Sequence, residues 1–323
     1  MPAQTANVLS TSMAELSDVQ STALIEVGRE LQQRDYNFVT ITPASHERVL
    51  ARTQRPASCL RDVFGWNLPF EPSLLSRSML ASLERAGSVT THEGLLRATV
   101  RFSTLGQRLF AHSGFPTQDE QAVFFGPDTY RFAAFIRRAA SSARRIVDVG
   151  CGSGAGGISV STSETQQLML SDINPIALGF ARVNATLSGV QAELVQSDVL
   201  NNVTGELDLI VANPPYMRDP SGRMYRHGGG TYGEALSVRI VREALPRLAR
   251  AGTLLLYTGA PVVGGVDKFR ESIAPLLAEH TRIVHVGYEE LDVDVFGEEL
   301  STTPYAEVER IAAVGLTVRL GTG

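Results

Sequence analysis

The residues with the clearest chemical potential are Asn213-Pro214-Pro215-Tyr216, which directly follow the apolar run 207–212. Each proline fixes its backbone and lacks an amide donor, so nearby carbonyl oxygens are left free to accept hydrogen bonds from a ligand. Asn213 adds a side-chain oxygen, and Tyr216 adds a flat aromatic face. Two acceptors and a ring suit a planar NH2 group, whose lone pair stays available while positive charge develops on the nitrogen. The tetrapeptide predicts group transfer to a planar amide or amino nitrogen; the alternative is a plain proline turn.

A glycine-rich loop follows an earlier apolar strand, in the run Asp148-Val149-Gly150-Cys151-Gly152-Ser153-Gly154. Glycines there allow a tight turn and close approach of a ligand to the backbone. The dinucleotide pattern GxGxxG is formally present, but Asp148 would repel a pyrophosphate. A phosphate-free cation such as S-adenosylmethionine fits this charge better. No histidine is placed beside Cys151 by the sequence, so we interpret it as a small residue near the cofactor rather than a nucleophile.

Two more acids end the next two strands. Asp172 lies 20 residues after Gly152, a spacing at which a carboxylate can bind the two ribose hydroxyls. Asp198 follows the next strand and could accept from the adenine amino group. Each acid alone could instead be a helix cap or a solvated loop residue. The predicted cofactor-binding residues are Asp148, Gly150, Cys151, Gly152, Gly154, Asp172, Ile173, Asp198, Val199 and Asn213, and the predicted catalytic residues are Asn213, Pro214, Pro215 and Tyr216.

The elements that position these residues alternate between strand and helix after Pro116. The patterns predict strands at 145–149, 167–171, 192–196, 207–212, 253–258, 282–288 and 311–319, and helices at 127–140, 175–188, 235–249 and 267–279. Such alternation predicts an α/β fold with a doubly wound, Rossmann-like sheet covered by helices on both faces. Ligands of these sheets bind at the carboxyl ends of the strands, where the strand order reverses.

The first part of the chain has a different character. We expect a flexible tail over 1–20, a smaller domain over 21–119 and the α/β domain over 120–323. The smaller domain shows helical patterns at 23–32, 43–52 and 72–86, then extended runs at 95–102 and 108–112. These fit either a winged-helix-like α+β module that selects the substrate or a cap on the second domain. Arginines on the expected hairpin would contact phosphates in a wing or line a solvated face: Arg97, Arg101 and Arg108.

Composition excludes several classes of protein. Hydrophobic residues make up 43% of the 323 residues and charged ones 20%, which rules out a disordered or fibrous chain. Cys59 and Cys151 are too few for a disulfide framework, and they predict a reducing, cytoplasmic setting. Residues 1–20 lack a basic residue and an apolar run, so we expect no secretory signal. Pro261 interrupts the most apolar stretch, so no membrane helix is expected. The histidines show no metal-binding spacing, and no metal is expected.

Residues 120–323 resemble the class I S-adenosylmethionine-dependent methyltransferases that carry the Asn-Pro-Pro-Tyr motif. The most similar group is the HemK/PrmC-like glutamine N-methyltransferases, and the glycine loop, the three acids and the tetrapeptide match its motifs in order. Pro127-Asp128-Thr129 also resembles a short element of that group, although Gly126 stands where a basic residue is expected. The resemblance implies a seven-stranded methyltransferase sheet, S-adenosylmethionine as cofactor, and a protein glutamine as acceptor, with release factors as the family's substrates.

Other functions fit the same residues. The tetrapeptide also suits an exocyclic amine of a nucleic-acid base, which requires base flipping or a single strand. A small-molecule amine is a further candidate acceptor, and a non-catalytic module that binds the cofactor or a partner is another class. Residues 225–233, rich in glycine, fit either a flap over the substrate or a plain surface loop.

Overall fold

The computed structural model describes residues 15–53 and 55–322. Residues 1–14 of the expected tail lie outside the described residues. The first helix, α1 (Asp18–Gln33), begins before residue 20, because Ser17 caps it: the Ser17 hydroxyl accepts from the amide of Gln20, whose side chain bonds back to Ser17. The expected boundary of the tail thus falls inside this helix.

The N-terminal part combines short helices with two β-hairpins. Its further elements are α2 (Pro43–Arg52), α3 (Leu60–Phe64), α4 (Arg77–Arg85), β1 (Val89–His92), β2 (Leu95–Ala98), β3 (Val100–Leu105) and β4 (Arg108–Ser113). The helix expected over 72–86 is shorter, because Ser76 caps α4 and a separate 3-10 turn covers Pro72–Leu74. The expected single run 95–102 is two strands: β2 pairs with β1, and β3 pairs with β4.

The three arginines of the expected hairpin do not form a phosphate-binding face. Arg101 is 3% exposed and donates to the carbonyl of Gly65. The guanidinium of Arg97 donates to backbone carbonyls of Asn67 and Phe115, and that of Arg108 donates to the carbonyl of Ile158. All three guanidinium groups thus donate to backbone carbonyls of this chain. This finding corrects the interpretation that they contact phosphates.

A large mixed sheet forms the second part. Its elements are α5 (Pro127–Ala139), β5 (Arg145–Val149), α6 (Ala155–Val160), β6 (Gln167–Asp172), α7 (Pro175–Leu187), β7 (Glu193–Gln196), β8 (Leu207–Ala212), α8 (Ala235–Ala244), β9 (Leu248–Val263), β10 (Val266–Asp267), α9 (Lys268–Glu279), β11 (Ile283–Asp292) and β12 (Arg310–Leu320). The strand order is β11-β12-β9-β8-β5-β6-β7, with the two-residue β10 paired to β9. Strands β5 to β9 run parallel, and β12 is antiparallel to both β9 and β11. The predicted seven-stranded, Rossmann-like sheet is confirmed.

The order of the strands places a switch point at β5. This strand pairs with β6 on one side and β8 on the other, so the chain leaves it in opposite directions. Alternate residues of β5 serve different cores: Ile146 packs towards the α5–α7 side, and Val147 packs towards the α8–α9 side. Both faces of the sheet are covered, and the carboxyl ends of β5, β6 and β8 meet at one edge.

The N-terminal part packs against α7. Leu24 and Val27 of α1 share a buried cluster with Phe180 and Val183 of α7, so one apolar core crosses between the two parts. Within residues 15–53 and 55–322, no helix combines the length and apolarity that crossing a membrane requires.

Candidate active site

A cavity of about 510 Å³ opens at the carboxyl edge of β5, β6 and β8. All of the predicted site residues except Gly154 line it: Asp148, Gly150, Cys151, Gly152, Asp172, Ile173, Asp198, Val199, Asn213, Pro214, Pro215 and Tyr216. Asp148 and Tyr216, which are 68 positions apart in the chain, therefore line the same cavity. The N-terminal part also contributes to the wall, through Pro43, Ala44 and Glu47 of α2.

The glycine loop turns with left-handed backbone. Gly150 has φ 66° and Gly152 has φ 53°, a region that side chains with a Cβ rarely adopt. A Cβ added at either glycine would meet no atom within 4 Å, so both glycines border open space. Gly154 does not line the cavity; it is the N-cap of α6, with φ 76°. A Cβ at Gly154 would press on Ile158 and Leu170. The loop forms a shallow backbone cradle beside the cavity.

Asp148 is buried behind that cradle and is 1% exposed. Its Oδ2 accepts from the amide of Gly157 at 2.7 Å, which ties the carboxyl to the start of α6. Burial is the main cause that raises the pKa of Asp148 to about 7; the hydrogen bond from Gly157 lowers this pKa, and the negative charge of Asp172 raises it. Asp148 is thus an acid poised to change charge near neutral pH.

Asp172 at the end of β6 holds the loop. Its Oδ2 accepts from the amide of Gly152 at 2.8 Å, and its Oδ1 accepts from the amide of Asn174 at 2.9 Å. Burial raises the pKa of this carboxyl as well. Ile173, the next residue, is 48% exposed and extends along the cavity wall. A carboxylate oxygen has more than one acceptor site, so both oxygens retain capacity for a ligand hydroxyl.

Asp198 has a partner that the sequence could not indicate. Its two oxygens accept from the two terminal nitrogens of Arg239 at 2.8 Å and 2.9 Å, a bidentate pair between the loop after β7 and α8. The Asp198 side chain is still 47% exposed. Val199 beside it has a left-handed backbone, with φ 54°. A ligand amino group at Asp198 would share this carboxylate with the guanidinium.

Asn213 begins the tetrapeptide where β8 ends. Its side chain is partly exposed at the cavity, and among the described residues no hydrogen bond engages its amide group. Pro214 and Pro215 follow without amide donors. The chain then returns to regular pairing, because the amide of Met217 donates to the carbonyl of Arg226 at 3.0 Å. Asn213 therefore presents a free amide at the switch point.

Tyr216 is buried and held by a hydrogen bond that the sequence analysis did not predict. Its side chain is 6% exposed, and its hydroxyl donates to Oδ2 of Asp128 at 2.6 Å. A Cβ on Gly259 of β9 would lie 2.3 Å from the Tyr216 ring, so the ring packs directly on that strand. Sequence reasoning noted Asp128 within Pro127-Asp128-Thr129 but did not connect it with Tyr216.

The glycine-rich segment 225–233 packs over the cavity against two other loops. The Tyr225 ring stacks on Phe124 with centroids 5.6 Å apart, and its hydroxyl donates to the carbonyl of Thr117 at 2.8 Å. The Arg226 guanidinium pairs with Glu299 and lies 5.2 Å from the ring centre of Phe296. Tyr225 and Arg226 thus form part of the cavity wall, together with Phe124 and Phe296. Phe296, which sequence reasoning missed, has a left-handed backbone with φ 58°.

Comparison with known proteins identifies the domain that carries this site. Residues 133–261 match the family model of the methyltransferase small domain. The match confirms the predicted methyltransferase domain and enzyme class over these residues, which make up less than half of the chain.

Curated relatives align with parts of the chain. It is 33% identical over 126 residues to the release factor glutamine methyltransferase of Deinococcus radiodurans, covering 35% of this chain and 44% of that protein. It is 30% identical over 117 residues to ribosomal RNA small subunit methyltransferase C of Serratia proteamaculans, covering 36% and 31%. It is 37% identical over 101 residues to the release factor glutamine methyltransferase of Lactococcus lactis, covering 31% and 37%. The chain thus spans less than half the length of these relatives.

A solved structure is also similar. The chain aligns with the T. thermophilus 16S rRNA N2 G1207 methyltransferase in complex with AdoMet and guanosine, with a TM-score of 0.44 and 15% identity. The alignment covers 73% of this chain and 60% of that one.

Proposed function

We propose that this protein is an S-adenosylmethionine-dependent N-methyltransferase and that its preferred acceptor is a protein glutamine side chain. The observation that carries the proposal is the side-chain amide of Asn213, which has no hydrogen-bond partner among the described residues and lies beside Pro214 in the same cavity as the glycine cradle. The acceptor and the methyl donor would meet in that cavity.

The residues present suit the cofactor. Open backbone at Gly150 and Gly152 leaves room for a ligand to approach closely. Asp172 has acceptor capacity for ribose hydroxyls, and the acids of the cavity favour a cation without phosphate. S-adenosylmethionine would supply a methyl group on a sulfonium: the C–S bond would break as the new C–N bond forms, the sulfur would leave as a neutral thioether, and the nitrogen would lose one N–H proton to water.

The protein's part in the reaction is to hold the acceptor. The side-chain oxygen of Asn213 and the carbonyl oxygen of Pro214 would accept the two N–H groups of a primary amide. These bonds would strengthen as the nitrogen loses electron density to the new bond, so they stabilise the transition state more than the ground state. The remaining rate acceleration would come from fixing the nitrogen in line with the methyl group, and a strong base at the nitrogen is not required.

The charges around the cavity favour a polypeptide over a nucleic acid. Its two lining arginines are already paired: Arg223 with Asp219 at 2.8 Å, and Arg226 with Glu299. Glu47 and Glu298 remain exposed on the wall. Phosphates gain affinity from free lysines and arginines and are repelled by carboxylates. Two of the relatives above are named release factor glutamine methyltransferases, in keeping with this preference, whereas another is named for ribosomal RNA, so the preference rests on the charges of the cavity. The two free cysteines fit a cytoplasmic setting.

One experiment tests the acceptor class. The purified protein and S-adenosylmethionine labelled with tritium in the methyl group are added to a cell extract, and the label is followed through protease, nuclease and size fractionation. We expect protease-sensitive label that is released as volatile methylamine on acid hydrolysis, since an N-methylated glutamine amide yields that amine. Nuclease-sensitive label would show a nucleic-acid acceptor instead. Tight cofactor binding with no label in any fraction would indicate a non-catalytic module.

A further inference from the structure

Asp128 receives hydrogen bonds from two tyrosines, one in the loop after β8 and one on strand β9. It lies in the first turn of α5 and is 9% exposed. Its Oδ2 accepts from the Tyr216 hydroxyl at 2.6 Å, and its Oδ1 accepts from the Tyr257 hydroxyl at 2.7 Å. Arg131 donates to Oδ1 at 3.1 Å and also pairs with Asp292 at 2.8 Å. A single buried carboxyl therefore joins α5, the loop after β8 and strand β9.

The direction of these bonds is fixed by electrostatics. Burial raises the pKa of Tyr216 and of Tyr257 well above their usual range, and the Asp128 carboxylate raises both further. Both tyrosines consequently keep their hydroxyl hydrogens and donate them. Hydrogen bonds to an ionised acceptor are stronger and shorter than neutral ones, so the hydroxyl of Tyr216 has one well-defined position.

The ring of Tyr216 is confined from its other sides as well. Gly259 lets it lie against β9, and the rings of Tyr257 and Phe296 meet it edge-on, with centroids 6.3 Å and 6.0 Å away. Tyr216 is three residues from Asn213, and the two prolines between them allow little backbone rotation. The position of the Tyr216 hydroxyl therefore constrains the backbone that carries Asn213 and the carbonyl of Pro214.

We propose that Asp128 is a positioning residue, which acts through the Tyr216 hydroxyl to hold the acceptor-binding groups of Asn213 and Pro214 in place. The inference rests on the proposed methyl transfer, because it assigns those two groups to the acceptor nitrogen. In this proposal Asp128 acts through the Tyr216 hydroxyl, although it also lines the cavity wall. Misplacement of reacting groups by about 1 Å costs up to about 100-fold in rate, which sets the expected scale of the effect.

The sharpest variant is Tyr216→Phe, which keeps the ring and removes only the bond to Asp128. We expect kcat to fall about 5- to 50-fold in methyl transfer to the labelled extract fraction, while the Kd for S-adenosylmethionine changes less than about 3-fold. The matched control is Tyr288→Phe, which removes a hydroxyl–carboxylate bond of 2.5 Å to Asp267 at the far edge of the sheet. The control should keep the wild-type kcat. A Tyr216→Phe enzyme with wild-type kcat would overturn the proposal.

Asp128→Asn completes a double-mutant cycle with Tyr216→Phe. If Asp128 acts through the hydroxyl, Asp128→Asn should lower kcat in the wild type but by less than about 3-fold further in the Tyr216→Phe background. An equal loss in both backgrounds would show that Asp128 acts by another route and would contradict the inference. If Asp128→Asn does not fold, the kcat of Tyr216→Phe still tests the proposal, because a wild-type kcat would overturn it.

Hydrogen exchange separates this inference from the proposed function. The Met217 amide, bonded to the carbonyl of Arg226, should exchange faster in Tyr216→Phe than in wild type or Tyr288→Phe. If the wild-type protein transfers no methyl group, the proposed function fails, and the exchange rate still tests whether Asp128 fixes this loop. An unchanged exchange rate would contradict the anchoring itself.

Discussion

Asn184 binds the backbone of Ala111 through both ends of its side-chain amide. Its Oδ1 accepts from the Ala111 amide at 2.7 Å, and its Nδ2 donates to the Ala111 carbonyl at 2.9 Å. The same Nδ2 donates to the carbonyl of Ser153 in the glycine loop at 2.8 Å. One fully buried asparagine on α7 thus connects the second hairpin of the N-terminal part to the loop proposed to bind the cofactor.

Asn184→Ala should weaken both connections. Unmet backbone groups in a buried place cost about 1–3 kcal/mol, so we expect the free energy of unfolding in urea to fall by about that amount. The Kd for S-adenosylmethionine should rise about 3- to 10-fold, because the loop loses a support. Thr186→Ala on the exposed side of the same helix is the control. If Asn184→Ala lost stability but bound the cofactor normally, the hairpin would be uncoupled from the loop.

Arg239→Gln tests whether the guanidinium and the cofactor share Asp198. Removing Arg239 frees the carboxylate to accept from adenine, and exposed ion pairs contribute about 0–1 kcal/mol, so the Kd for S-adenosylmethionine should fall by up to about 5-fold. Glu243→Gln removes the other carboxylate partner of Arg239, at 2.6 Å, and should leave the Kd unchanged. Calorimetric titration measures both. A tenfold weaker Kd for Arg239→Gln would mean that the pair orients Asp198 instead of competing for it.

Cofactor binding should release protons near neutral pH. Asp148 has a pKa raised to about 7 in the free protein, and a bound cation favours the charged carboxylate, which lowers that pKa. Protons should therefore leave on binding at pH 6–7, and the affinity should rise between about pH 6 and pH 8 and then level off. Calorimetry in two buffers of different ionisation enthalpy counts these protons. Asp148→Asn should remove most of the release, and unchanged release in that variant would exclude Asp148 as its source.

Gly259→Ala should disturb the acceptor side without touching the cofactor side. The added Cβ would lie 2.3 Å from the Tyr216 ring, so the ring must move. We expect kcat to fall by at least about 10-fold with little change in the Kd for S-adenosylmethionine. Gly287→Ala on the edge strand β11, where the nearest atom to an added Cβ is 3.2 Å away on the His285 side chain, is the matched control. Equal kcat values for the two variants would show that Tyr216 does not need this packing.

Much of the α/β fold could be predicted from local sequence. Strands β5 and β8 have the expected bounds, because each is a short, mostly apolar run followed within two residues by a glycine or a proline. Strand β9 is longer than expected, at Leu248–Val263, and its pairing with β12 continues to Val262 despite the poor strand propensity of Pro261. Strand β1 was missed because its sequence is Val-Thr-Thr-His, which carries little apolar alternation.

The site, like the fold, could be predicted from the sequence only in part. Glycines, acids and the tetrapeptide could be placed from motif spacing, since each follows its own strand. The partner of Asp198 could not, because Arg239 lies 41 residues away on a helix and nothing local links the two. The bond between Asp128 and Tyr216 spans 88 residues and depends on how α5 packs against the sheet. Such contacts are set by tertiary packing, which a single sequence does not display.

The most direct test of the central claim compares wild type with Asn213→Ala. Methyl transfer from tritiated S-adenosylmethionine to the labelled extract fraction and the Kd for S-adenosylmethionine are measured on both proteins. Loss of the free amide should lower kcat by at least about 100-fold, the scale of a lost transition-state hydrogen bond, while the Kd changes less than about 3-fold. An Asn213→Ala protein with wild-type kcat would contradict the assignment of this residue and of the reaction it supports.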